Sequence, residues 1–342
     1  MKNLKGLATG IGSLPLIDPQ AAVELVLRYV PAIPFWPQLP KLSPREGMLT
    51  QFSQNLPGLK LRGNELRFAP EDKERELELF YERFIAHDLE HFAISPEFAG
   101  GLYAFHQRLR ETNLSAVEFI KLQVTGPFTF CSGIKDTEGK DIIHDKVLVQ
   151  AMANGLCMKA LWQLERFKNF GKKMILFFDE PCLTGIGSAY STLSRNDVID
   201  TYTELKELLK GKCLVGMHCC GNTDWSMLTD SCGIDIINFD AFNFQERFVL
   251  YAENLKNFLK KGGIICWGIV PTQEPASPDP QSLAQKIKSG LDVLVKKGID
   301  RHLLLERLLI SPACGLGTLE EQKAIDTLAL LDQTSQFIRK NL

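Results

Sequence analysis

The stretch that decides the fold runs from 174 to 222. It opens on an apolar run, MILFF (174–178), that ends in Asp179-Glu180-Pro181. An amphipathic pattern follows, RNDVIDTYTELKELLK (195–210). A second apolar run, CLVGM (213–217), then ends in His218-Cys219-Cys220-Gly221-Asn222. Short apolar runs with no polar face read as strands covered on both sides, and a helix-length connection makes two such strands parallel. The same alternation recurs outward in both directions. Further apolar runs lie at 6–11, 120–124, 235–239, 264–269 and 308–310, and further helical patterns at 21–29, 73–87, 147–170, 247–260, 281–297 and 319–340. An eighth strand is expected at 90–94. Eight βα units in 342 residues fit a (β/α)₈ TIM barrel, with a doubly wound open sheet as the alternative. No linker divides the chain, so one domain over 1–342 is expected. Two proline-rich segments, 31–57 and 271–280, read as long loops at the C-terminal face, acting as lids or pocket walls.

Composition narrows the function classes. Lys plus Arg total 39 against 41 Asp plus Glu, a net charge of −2. That balance argues against a nucleic-acid binder with a broad basic face. No stretch offers the long apolar run of a membrane span, and the start lacks the pattern of a signal peptide, so a cytoplasmic location is expected. Nine cysteines in a reducing compartment are not expected to pair. Cys131, Cys157, Cys182, Cys213, Cys232 and Cys266 read as small apolar core residues.

In a barrel the active site lies at the C-terminal ends of the strands. There the chain places Ile11-Gly12-Ser13, Thr125-Gly126-Pro127, Asp179-Glu180-Pro181, His218-Cys219-Cys220, Asp240, Val270-Pro271 and Cys314-Gly315. Extended residues two apart point the same way, so His218 and Cys220 share a face while Cys219 turns away. With Asp240 at the end of the adjacent strand and Cys314 at the end of the last, a histidine, two thiolates and a carboxylate form a set that suits Zn²⁺. Ligands dispersed over several strand ends describe a catalytic rather than a structural zinc. The blander reading keeps His218 and the cysteines as core, Asp179 and Glu180 as strand-end charges bonding loop amides, and Gly12 as a turn residue.

The ordered strand-end segments, from 11 to 316, resemble the catalytic barrel of cobalamin-independent methionine synthase, within the superfamily that includes uroporphyrinogen decarboxylase. The resemblance implies a zinc-dependent thiol methyltransferase acting on homocysteine, with zinc held by His218, Cys220, Cys314 and Asp240, the last replacing the family's glutamate. It implies that Ile11, Gly12 and Ser13 hold the amino-acid carboxylate and that Asp179 binds the ammonium group. Glu97 is the candidate for the family's second ammonium-binding glutamate.

Two departures bear on the methyl donor. Gly133 stands in the register of the tryptophan that stacks on folate, and Val270 in that of the proton-donating histidine. A folate leaving group needs protonation at nitrogen; a methyl-corrinoid does not, because cobalt leaves with its electron pair. A methyl-corrinoid, carried on a partner protein, is therefore the expected donor. Another small thiol such as coenzyme M is the rival acceptor, although it has no ammonium for Asp179. A tetrapyrrole decarboxylase would need clustered arginines, and Arg45 is the one conspicuous arginine in the candidate lid. A metal- or corrinoid-binding module without activity is the non-enzyme alternative.

Overall fold

The computed structural model describes residues 4–63, 65–186, 193–273 and 278–342. Its strands, in chain order, are β1 (Leu7–Ala8), β2 (Leu59–Arg62), β3 (Glu65–Phe68), β4 (Phe119–Thr125), β5 (Lys173–Asp179), β6 (Leu214–Cys219), β7 (Ile236–Asp240), β8 (Ile264–Val270) and β9 (Leu308–Pro312). β2 and β3 form a separate antiparallel hairpin. The other seven are parallel and make one curled sheet in the order β1-β9-β8-β7-β6-β5-β4.

Closure of the ring comes from inside the proline-rich segment. Residues 32–38 run between β1 and β4. The amides of Glu118, Phe119 and Lys121 donate to the carbonyls of Ala32 and Pro34, and Gln38 exchanges backbone hydrogen bonds with Gly12 and Leu14. Pro34 and Pro37 have no N–H to give, so no regular ladder forms, but the segment occupies the second strand position of a TIM-barrel-like fold. The strand expected at 90–94 is instead a series of turns. Phe92 and Ile94 are fully buried there, which is why the stretch reads as a strand.

The helices are α1 (Pro19–Tyr29), α2 (Lys73–Ile85), α3 (Gly100–Glu111), α4 (Pro127–Ser132), α5 (Lys146–Phe167), α6 (Arg195–Leu208), α7 (Trp225–Asp230), α8 (Ala241–Phe248), α9 (Ala252–Lys260), α10 (Pro280–Lys296), α11 (Arg301–Glu306) and α12 (Glu321–Asn341). Side-chain caps set several starts: Asp18 for α1, Asp145 for α5, Asp240 for α8 and Asp279 for α10. The pattern at 247–260 is two helices with a tight turn at Val249–Tyr251 between them. None of the described helices is long and apolar enough to cross a membrane. Within the proline-rich stretch at 271–280, residues 274–277 lie outside those described.

Two packed regions result. One fills the floor of the barrel with Leu7, Ile33, Phe119, Ile175, Phe177, Ile236, Ile264, Cys266 and Leu309. Ile33 sits among side chains of the strands, as the second strand position requires. The larger region lies between strands and helices; there Phe239 and Phe248 stack with centroids 3.8 Å apart and Trp225 and Trp267 meet them edge-on. Side chains alternate along each strand. The same inward rows that supply the apolar floor therefore carry Lys121, Gln123, Asp179, His218, Asn238 and Ser311 higher up.

Candidate active site

A cavity of about 300 Å³ opens at the C-terminal ends of the strands, its walls including Ile11, Ser13, Gln38, Glu46, Met48, Asp179, His218, Cys220 and Cys314. His218 belongs to β6 and Cys220 follows it; Cys314 follows β9. One ligand-type atom from each of these three lies within 4.8 Å of the others. His218 is 3% exposed, and its Nε2 is buried with no hydrogen-bond partner. A buried nitrogen left without a partner is costly unless something else occupies it. The Cys220 thiol donates toward Cys314, which raises the first thiol and lowers the second, so the pair gives up one proton readily and holds the other. Nitrogen and sulfur donors packed this closely fit a zinc ion.

Asp240 ends β7 on the same barrel face, outside the three residues whose ligand atoms lie within 4.8 Å of one another. Oδ1 accepts from the Asn243 amide and Oδ2 from the Asn243 side chain, capping α8. Each carboxylate oxygen keeps a second lone pair, so Asp240 can cap α8 and still offer an oxygen to a metal. Cys219 points away, as the alternation requires; it is fully buried, with its sulfur near Thr184 Oγ1 at 3.6 Å. Of the six cysteines read as core, Cys182 and Cys213 are half-buried, packed against the core edge, and the other four are buried.

The Asp179-Glu180 pair divides its labour. Asp179 faces the cavity, and its Oδ1 is buried without a partner. Burial pushes its carboxyl up to about 6, against the pull of Lys121 and His218. Glu180 points the other way. Its Oε1 accepts from the Phe128 amide at 3.0 Å and Tyr202 Oη at 2.7 Å, and its Oε2 from the Thr129 amide at 2.7 Å. It thereby anchors the turn that follows Thr125-Gly126-Pro127. Thr125 in turn holds the Met48 carbonyl over the cavity at 2.6 Å.

The 11–13 loop is fastened from behind. Ile11 O accepts from the buried Lys121 ammonium, Gly12 O from the Gln38 amide, and Ser13 O from the Leu316 amide. Gly12 packs closely against Gln38: a Cβ there would stand 2.3 Å from its Oε1, so that side chain would have to move. Lys121 lies over the faces of Phe35 and Phe177, and burial lowers it to about 8 while Asp179 pulls it back up.

Glu97 is not on the cavity wall. Its side chain is 68% exposed and ion-paired with Arg45, so it stands outside the site the other residues form. Glu46, missed in the sequence, is there instead. It is 2% exposed and accepts from the amides of Leu39 and Gly100 at 3.1 and 2.9 Å. Glu46 follows the 32–38 segment that takes the second strand position, whereas Glu97 follows the turns at 90–94. Gly133 ends α4, and a Cβ on it would fall 2.4 Å from Leu49 Cδ1. Val270 is buried at the end of β8.

Residues 107–336 match the family model described as the catalytic domain of cobalamin-independent synthase. The chain belongs to that family. It is a methyltransferase of the methionine synthase type. Among solved structures, it is similar to the B12-independent methionine synthase from Listeria monocytogenes described as putative, at 14% identity over 94% of this chain and 85% of that one, TM-score 0.53. It is equally similar to a methyltransferase from Methanosarcina mazei, at 14% identity over 96% and 93% of the two chains, TM-score 0.53. These two likenesses concern the fold. A B12-independent methionine synthase from Shewanella sp. W3-18-1 is 21% identical over 69% of this chain and 67% of that one, with a TM-score of 0.48. No curated protein matches the sequence significantly.

Proposed function

We propose that this methyltransferase transfers a methyl group to the thiol of homocysteine, with zinc held by His218, Cys220 and Cys314. The observation that carries the reading is the meeting of those three side chains with Asp179, one of whose carboxylate oxygens is unpartnered, around one cavity. A zinc ion bound there would lower the pKa of a small thiol and keep it as the nucleophilic thiolate at neutral pH. The remaining work falls to the chain's own groups. Asp179 accepts hydrogen bonds from the ammonium of the amino acid, and Glu46 adds a second carboxylate. The carbonyls of Ile11, Gly12 and Ser13 are tied back, which leaves loop amides and the Ser13 hydroxyl for the carboxylate. Fixing both ends of the amino acid places its sulfur in line with the donor, and such positioning supplies much of the rate.

For the donor we infer a methyl-corrinoid, brought by a partner protein as a substrate. The sulfur–methyl bond forms as the cobalt–methyl bond breaks, and cobalt keeps the electron pair, so no acid is needed at the leaving group. Val270 offers none. A stacking ring at position 133 would collide with Leu49, which fills that space. Coenzyme M remains the second acceptor; it would leave Asp179 unpaired in a buried site, which disfavours it. The test pairs two donors, methylcobalamin and methyltetrahydrofolate, with two acceptors, homocysteine and coenzyme M. Methylcobalamin with homocysteine should be the fastest pair. Turnover with the folate alone would overturn the donor assignment, and preference for coenzyme M the acceptor.

A further inference from the structure

His218 can ligate through either ring nitrogen, and the one available depends on where the ring proton sits. Next to it on the sheet, Asn238 of β7 carries a polar side chain into the barrel and is 1% exposed. Its Nδ2 donates to the Cys266 carbonyl at 2.9 Å and to Ser311 Oγ at 2.8 Å. Ser311 Oγ donates its own proton to the Pro312 carbonyl at 2.8 Å, so toward Asn238 it accepts. Backbone carbonyls only accept, and two of them therefore settle which end of the amide is nitrogen and which oxygen. The oxygen, Oδ1, faces His218 Nδ1. An amide oxygen cannot donate, so Nδ1 must carry a proton, and in the neutral, metal-binding form of the ring the lone pair lies on Nε2. Nε2 is the buried atom without a hydrogen-bond partner, beside the sulfurs of Cys220 and Cys314.

We propose that Asn238 is a positioning residue for the metal site: its amide, locked by Cys266 and Ser311, holds His218 in one tautomer and one orientation with Nε2 toward the metal. The proposal rests on the zinc reading above. The direction of every hydrogen bond in it is set by carbonyls of β8 and by the end of β9, so the wall of the barrel aims a ligand carried by β6. Partners of this kind behind a metal-binding histidine affect metal affinity itself, not only turnover.

The test compares wild type with Asn238→Leu, Asn238→Asp and Ser311→Ala. Zinc affinity is read by competition with a chromophoric chelator, and ligand geometry by the visible spectrum of the cobalt-substituted protein. Asn238→Leu keeps the volume and removes the acceptor; it should weaken zinc binding by about 10- to 100-fold and alter the cobalt bands. Asn238→Asp keeps the acceptor for Nδ1 but loses the N–H that Cys266 accepts, so it should recover both in part. A general packing defect would not be rescued in this way. Wild-type affinity and spectrum in Asn238→Leu would overturn the proposal, as would a loss in Asn238→Asp as large as in Asn238→Leu. Should Asn238→Leu fail to fold, Ser311→Ala carries the test, with weaker binding expected and unchanged affinity and spectrum contradicting it. A wild-type protein that binds no zinc at all would instead remove the zinc reading, and this proposal with it.

Discussion

The proposed substrate recognition turns on Asp179. It is buried, one of its oxygens has no partner, and it faces the cavity. An ammonium group would satisfy it through charge-assisted hydrogen bonds, each worth about 1.5–3 kcal/mol. Asp179→Asn should therefore raise the KM for homocysteine by roughly 10- to 150-fold, the same energy expressed as affinity, while zinc content stays unchanged. Unchanged KM in steady-state assays would remove Asp179 from the ammonium site. At this scale His218, Cys220 and Cys314 were legible, because spacing by two at a strand end and a thiol after the last strand are patterns of sequence. Lys121 and Asn238 were not singled out, since each sits inside a run read by its apolar neighbours. Their signal was there: in FIKLQVT and IINFD the polar residues fall on alternate positions, the inward row. Glu46 and Glu97 could not be told apart without knowing where the second strand lies.

At the scale of elements, the hydrophobic runs located seven strands and most of the long helices. The eighth position escaped because Pro34 and Pro37 interrupt the ladder and disguise 32–38 as a loop. α3 escaped because it begins Gly100-Gly101, which reads as a break. Asp240 shows how a strand-end residue also serves an element. As the cap of α8 it satisfies the Asn243 amide at 2.9 Å. Asp240→Ala should lower stability to denaturant by about 1 kcal/mol, the usual cost of a lost cap, and leave bound zinc in place. Loss of zinc with stability unchanged would return Asp240 to the ligand set.

The whole molecule carries a cation it does not use in the site. Lys159 of α5 is fully buried and, among the described residues, reaches only the Phe92 carbonyl, at 3.5 Å. Burial lowers its ammonium from 10.5 to about 7. The unfolded chain therefore binds the extra proton between about 7 and 10.5, and stability rises with pH across that window. Below it, the full cost of a buried charge is present, on the order of a few kcal/mol. Lys159→Met should stabilise the protein in urea unfolding at pH 6 and do so much less at pH 10. Equal gains at both pH values would contradict this. The overall βα alternation was legible because it needs only the hydrophobic effect. Which polar rows the barrel turns inward depends on closure, and closure was hidden in the prolines.

The barrel brings His218 of β6 and Cys220 beyond it to Cys314 beyond β9, and the function rests on that meeting. The most direct test is the metal content of the purified protein and of His218→Ala and Cys314→Ser, with folding checked by circular dichroism. The expected result is about one zinc per chain in wild type and little in either folded variant. Full zinc retained in both variants, or none in wild type, would contradict the site.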